Sequence, residues 1–294
     1  MSLQLTDQLH DSSQWTELYK VFKIKVVAVM LFSALVGMLI TPHSLRTANQ
    51  VIFGLTGIGL AACGSAALNH RFDMDEDKKM RRTKKRPLAV AKITPELVEK
   101  TAYLVIVMSM AILISANNLL SAGLTLATTV GYSIIYTKWL KPSTPQNIVI
   151  GGLSGAMPPL LGWTCITGDI AVQPLLLVLI IFTWTPAHFW PLALEHSSDY
   201  AKTKWPMLPI THGKQFTHLS IIAYALLTAA TSLLPFCIRM AGYRYLAVVC
   251  ILNARWLFLC YQLWLKGNRS YAVFRFSIWY ILGLFLILLI DQSP

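Results

Sequence analysis

The residues most suited to chemistry lie in one short stretch, Asn69-His70-Arg71-Phe72-Asp73-Met74-Asp75-Glu76-Asp77. It runs directly into the basic segment Lys78-Lys79-Met80-Arg81-Arg82-Thr83-Lys84-Lys85-Arg86. Asn69, Asp73 and Asp77 are spaced four apart, so on a helix they share one face. Carboxylates aligned on successive turns repel each other, and a divalent cation relieves that repulsion. Magnesium prefers one or two carboxylates completed by phosphate oxygens. Arg and Lys next to such a site supply the donors those oxygens need. Carboxylates for metal and cations for phosphate are together what the departure of a diphosphate requires. A weaker version of the pattern follows at Glu195 and Asp199, again four apart, with Lys202 and Lys204 just beyond. The competing reading is a solvated, charge-balanced loop for the first stretch and an ordinary helix end with a polar cap for the second.

The elements that must position these groups are set by composition. Hydrophobic residues fill 55% of the 294 positions and charged residues only 13%, and the mean hydropathy is +0.56. A soluble domain carries roughly a quarter charged residues, so lipid is the solvent for most of this chain. Apolar runs long enough to cross a bilayer occur at 22–41, 50–68, 97–116, 119–137, 147–164, 171–194, 217–237, 243–264 and 272–290. They predict an all-α, polytopic membrane protein with nine transmembrane helices, in a single domain over 1–294. The runs leave two polar loops, 69–96 and 195–216, to carry the active site. Lys20, Lys23 and Lys25 lead straight into a full-length span, so no cleavable leader is expected. Cys63, Cys165, Cys237, Cys250 and Cys260 have no close pairing and read as core residues, not as a disulfide or zinc framework.

Lys and Arg set the orientation. With the N-terminus inside, the inner face takes Lys20, Lys23, Lys25, the basic loop 69–96, Lys138, Lys141, Lys202, Lys204, Lys214, Lys266, Arg269 and Arg275. The other face holds only Arg46, Arg239 and Arg244. The expected arrangement is N-terminus cytoplasmic and C-terminus on the opposite side, with both polar loops on the cytoplasmic face of a bacterial inner membrane. A net charge of +12 therefore needs no nucleic acid as partner.

The string NHRFDMDEDKKMRRTKKRPLA resembles the first aspartate-rich motif of the UbiA superfamily of intramembrane prenyltransferases. That motif places an Asn and two Asp four apart, then Arg-Thr and Arg-Pro-Leu. Asn69, Asp73, Asp77, Arg82, Thr83, Arg86, Pro87 and Leu88 match it. Three further strings are similar to the haem-farnesylating branch of that superfamily: YTKWLKPSTPQNIVIGGLSGAMPPLLGW (136–163), FTWTPAHFWPLAL (182–194) and DYAKTKWPMLPITHG (199–213). The chain departs from the pattern at His70, where many members have Asp. Pro142 stands where Arg is expected, and Glu195-His196 where basic residues are common.

The resemblance implies nine helices around a central cavity. It implies a reaction of haem B, farnesyl diphosphate and water that yields a hydroxyethylfarnesyl haem and diphosphate. Magnesium would be held by Asp73, Asp77 and Asp199, oriented by Asn69. Arg82, Lys84, Arg86 and Lys141 would donate to phosphate oxygens. Tyr136, Trp184 and Trp190 are candidates to steady positive charge by cation–π contact, worth about 0.5–2 kcal/mol each. An ionisable group at membrane depth tends to be functional and imidazole is a common axial ligand of haem iron, so His188 is a candidate haem contact. A downstream haem A synthase or terminal oxidase assembly factor is a further partner to consider. The alternatives are a related enzyme that prenylates an aromatic acid or quinone precursor, and a transporter. Transporters place charge near the bilayer midplane, whereas here the acidic groups sit at one interface.

Overall fold

The computed structural model describes residues 14–292, and the outermost residues of the domain expected over 1–294 lie outside that range. In hydrocarbon each backbone N–H and C=O must be satisfied internally, which a helix does within its own segment. Accordingly every long element is helical, and the only β feature among the described residues is an isolated bridge between Ala241 and Gln292. In chain order the helices are α1 (Gln14–Val21), α2 (Ile24–Leu39), α3 (Ala48–Asp77), α4 (Pro95–Ala116) and α5 (Leu119–Ser143). They continue with α6 (Asn147–Thr167), α7 (Val172–Glu195), α8 (Gly213–Cys237), α9 (Tyr243–Lys266) and α10 (Ser270–Ile290). From α3 onward, eight helices are long and apolar enough to cross a membrane, and α1 with α2 forms a ninth span bent by 47°. Large apolar side chains such as Leu119, Ile251 and Trp279 point outward, as a lipid-facing surface requires.

Each expected run appears as a helix, with ends shifted by a few residues. The largest shift is informative. The apolar run of α3 stops at 68, yet the helix continues to Asp77 and buries Asn69, His70, Asp73, Glu76 and Asp77. The acidic motif therefore occupies the last turns of a spanning helix and not a loop. The helix also starts sharply: the Thr47 hydroxyl accepts from Gln50 N–H while the Gln50 side chain accepts from Thr47 N–H. This reciprocal cap satisfies donors the first turn leaves open. Thr94 and Asn118 cap α4 and α5 in one direction only, their side chains accepting from Leu97 N–H and Ser121 N–H.

Two glycines let backbones touch. A Cβ on Gly37 of α2 would sit 1.9 Å from the Pro159 carbonyl oxygen of α6, and one on Gly162 would sit 1.9 Å from that of Ala34. Small residues that allow such approach are the usual adhesive between helices in lipid. Two other features shape the interior. Gly131–Leu140 of α5 is π-helical, a rare form that is frequent at functional sites. The Thr137 hydroxyl donates to the Tyr132 carbonyl there at 2.8 Å.

The two polar loops fold against each other. Met80 from the first packs with Tyr200, Trp205 and Met207 from the second and with Ala193 of α7. Lys204 N–H donates to Glu76 Oε2 at 3.2 Å, and Arg82 N–H to Asp199 Oδ2 at 3.2 Å. Leu88 and Ile93 fasten the rest of the first loop to Leu68 and Val98 on α3 and α4. The result is a cap over one end of the bundle.

Candidate active site

Under that cap lies a polar chamber of about 170 Å³. α3 presents Asn69, Asp73 and Asp77 to it, and the π-helical part of α5 presents Tyr132 and Tyr136, with Lys141 a turn later. Both carboxylates are paired with cations from other segments. Lys141 Nζ lies 2.5 Å from Asp73 Oδ2, and one Arg86 guanidinium nitrogen lies 2.9 and 2.8 Å from the two oxygens of Asp77. Asn69 donates to Asp73 Oδ2 at 3.0 Å and to the Thr137 hydroxyl at 3.2 Å. Its own oxygen accepts from Lys23 Nζ at 2.9 Å. Lys141 Nζ also sits over the Trp205 ring, 3.6 Å from its centroid. Four cations, Lys23, Arg82, Arg86 and Lys141, thus face the chamber against the two carboxylates Asp73 and Asp77. That surplus of positive charge suits an anion of high charge.

Lys23 was read from sequence as a topology signal; the structure gives it a second place. It stands at the bend between α1 and α2 with φ 51°, a left-handed conformation that costs a non-glycine residue on the order of 1–3 kcal/mol and tends to persist at functional sites. Its ammonium reaches Asn69, and the residue lines the chamber. No spacing in the sequence marks that bend. Tyr132 was also missed, although it lies four before Tyr136 and stacks on it with ring centroids 5.5 Å apart. Trp205 was legible as part of a family string but not as a platform for Lys141.

A second, apolar cavity of about 560 Å³ adjoins the first. Lys23, Tyr132, Tyr136 and Phe189 belong to the walls of both. Trp184, His188, Phe274 and Ile281 line it further on. Gly151 makes room for one shared wall, since a Cβ there would lie 2.1 Å from Tyr136 Cδ2.

The remaining expected site residues are placed as follows. Arg82 lines the chamber, while Lys84 is exposed and lines neither space. Trp190 is fully buried away from both cavities and meets Tyr224 edge-on, with centroids 5.3 Å apart. Asp199 is not among the chamber residues. Its Oδ2 accepts from Arg82 N–H, and Oδ1 has only long contacts to Arg81 Nε and Lys202 Nζ, at 3.5 and 3.6 Å. Burial alone would raise its pKa, but the backbone N–H groups of Arg81 and Arg82 and the nearby cations hold it below the usual carboxylate value. In this arrangement Asp199 joins the two loops. The described residues contain no group of three or more His, Cys, Asp or Glu suited to a metal ion. His70, the departure from the family pattern, is buried, and neither ring nitrogen has a hydrogen-bond partner.

Inside a bundle of spanning helices, a cation-rich chamber joined to an apolar cavity suits a molecule with a charged head and a long apolar tail. The model of the UbiA prenyltransferase family matches residues 30–287, and the chain belongs to that family. The chain is 46% identical to a protein from Stutzerimonas stutzeri (strain A1501) named protoheme IX farnesyltransferase, over 95% of this chain and 94% of that one. A protein of the same name from Thioalkalivibrio sulfidiphilus (strain HL-EbGR7) is also 46% identical, over 98% and 96%. Among solved structures, one described under the biosynthesis of digeranylgeranylglyceryl phosphate synthase in membranes aligns with a TM-score of 0.78 at 16% identity, covering 95% of this chain and 98% of that one. A UbiA homologue from Archaeoglobus fulgidus bound to GPP and Mg2+ aligns with a TM-score of 0.62 at 12% identity, covering 92% and 99%. At those identities the structures establish the fold. Membership of a prenyltransferase family sets the transporter reading aside.

Proposed function

We propose that this chain transfers the farnesyl group of farnesyl diphosphate to a vinyl group of haem B, with addition of water, giving haem O and diphosphate. The observation that carries the reading is the polar chamber sharing a wall with the larger apolar cavity. The names of the 46%-identical relatives support the choice of haem as acceptor.

The diphosphate head enters the chamber, where Lys23, Arg82, Arg86 and Lys141 can donate to its oxygens, and the isoprenoid tail extends into the apolar cavity. Asp73 and Asp77 fit magnesium: they are two carboxylates on successive turns facing a space that also presents phosphate donors. Magnesium bound there would supply positive charge against the departing diphosphate. The bond between the allylic carbon and oxygen breaks, and its electron pair leaves with the diphosphate. The π electrons of the haem vinyl group then form the new carbon–carbon bond. Positive charge passes to the vinyl carbon next to the porphyrin, water adds there, and a proton is lost to give the hydroxyl. Tyr132 and Tyr136, stacked where the two spaces meet, offer ring faces to the transient cation. His188 presents an imidazole to the apolar cavity and holds the haem iron, so that the porphyrin stays in reach of the allylic carbon.

The Lys and Arg distribution supports an orientation with both polar loops in the cytoplasm, so that farnesyl diphosphate reaches the chamber from that side. The test is release of diphosphate by the purified chain, given farnesyl diphosphate and magnesium with either haem B or a hydroxybenzoate. Release that depends on haem B is the expected outcome. Release that depends on the hydroxybenzoate instead would move the chain to the aromatic-acid branch of the family.

A further inference from the structure

We infer that Ser277 is a positioning residue that fixes which nitrogen of His188 presents a lone pair, and so prepares the imidazole to bind haem iron. The inference rests on the reading of His188 given above and extends it to a residue no motif marks.

Ser277 lies on α10, wholly buried. Its hydroxyl donates to the Phe274 carbonyl at 2.7 Å, so its single proton is committed within the helix. The same oxygen lies 2.7 Å from His188 Nδ1. The hydroxyl has one proton and the Phe274 carbonyl can only accept, so the assignment that satisfies both contacts has Nδ1–H donating to the hydroxyl oxygen. A neutral imidazole carries one N–H, which leaves Nε2 unprotonated. That is the form a metal ligand requires.

The ring is also held in its plane. His188 is stacked between Trp184, at 4.1 Å between centroids and 16° between planes, and Phe274, at 4.7 Å and 28°. Trp184 is itself fixed, because its Nε1–H donates to the Ser277 carbonyl at 3.0 Å. One residue thus orients the imidazole through its hydroxyl and one of the flanking rings through its backbone. Trp184, His188 and Phe274 all line the apolar cavity, and His188 is the only imidazole among the residues that do. A hydrogen-bonded, sandwiched imidazole with a set tautomer resembles the outer support seen around metal-bound histidines, whose loss typically costs about 10–100-fold in affinity.

The test titrates haem B into the purified full-length chain and follows its absorption spectrum in four forms: wild type, His188→Ala, Ser277→Ala and Ser277→Thr. The wild type should give the spectrum of an imidazole-ligated haem, and His188→Ala should lose it. Ser277→Ala should bind haem roughly 10- to 100-fold more weakly with an altered ligand band, at unchanged KM for farnesyl diphosphate. Ser277→Thr, which keeps the hydroxyl, should restore both affinity and band. If the alanine variant fails to assemble, Ser277→Cys gives the same contrast, because a thiol of similar volume is a poor acceptor. Wild-type affinity and spectrum in Ser277→Ala (or in Ser277→Cys, should that variant be needed), with the imidazole spectrum lost in His188→Ala, would overturn the role of Ser277 alone. An imidazole spectrum surviving in His188→Ala would overturn the reading of His188 and the inference with it.

Discussion

Replacing Asp73 by Asn separates what the carboxylate does for the fold from what it does for the reaction. In the structure Asp73 neutralises Lys141, which is buried and has its ammonium 2.5 Å away. Removing one partner of a buried ion pair costs about 3–5 kcal/mol, because the other charge is left without compensation. The contact of Lys141 with Trp205 is already made with Asp73 in place, so it does not offset the loss. Asp73→Asn should therefore lower the melting temperature in detergent clearly, by the equivalent of a few kcal/mol. The double variant Asp73→Asn/Lys141→Met should recover most of the loss, since an apolar replacement of a buried pair is often close to neutral. Turnover should behave differently. Loss of a charge that holds magnesium is worth several kcal/mol of transition-state stabilisation, about a thousandfold in rate. Neither the single nor the double variant should regain it. The assay pairs thermal melting with diphosphate release on the same preparations. Turnover recovered by the double variant would show that Asp73 only balances Lys141, and the reasoning about metal would fall.

Gly151→Ala should push the Tyr136 ring out of place, since its Cβ would lie 2.1 Å from Cδ2; overpacking of about 1–3 kcal/mol, felt at the reacting centre, predicts a loss of roughly 5- to 150-fold in kcat/KM on a folded protein. Chelation of divalent metal should stop diphosphate release, and added magnesium should restore it; full activity in excess chelator would exclude the proposed role of Asp73 and Asp77. The pKa of Asp199 is depressed in the folded protein, so its contribution to joining the loops is present above the ordinary carboxylate pKa and is lost as pH falls through the lower folded value. Proteolysis of the second loop should accordingly stay slow from neutral pH down to the ordinary carboxylate range and rise only below it, whereas Asp199→Asn should be cut readily at neutral pH. Single cysteines near residues 80 and 205 should resist an impermeant reagent applied outside intact cells, and ready labelling of either would reverse the orientation.

Much of the fold was legible because lipid imposes length and hydropathy on each span. Apart from the short α1 and the far end of α3, the apolar runs located the helices to within about six residues. The run of α3 misled about its end, because burial of Asp73 and Asp77 depends on Lys141 and Arg86 arriving from beyond the helix, and no local hydropathy window can contain that. The spacing of Asn69, Asp73 and Asp77 was readable because a helix puts every fourth residue on one face. The partners were not: Lys23 depends on a bend with a left-handed residue, and Ser277 depends on α10 packing against α7. Trp184 and Trp190 looked equivalent in sequence, but only the structure tells which one the cavity meets. Asp199 belonged to a matching motif, yet its carboxylate is turned toward the first loop.

The measurement that tests the central claim most directly is the fate of the haem. Membranes containing this chain, given haem B, farnesyl diphosphate and magnesium in isotopically labelled water, should yield a more hydrophobic haem on chromatography. Its mass should show one added farnesyl group and one hydroxyl whose oxygen comes from the solvent. Haem B recovered unchanged, while a hydroxybenzoate or quinone precursor in the same membranes is prenylated, would contradict the account.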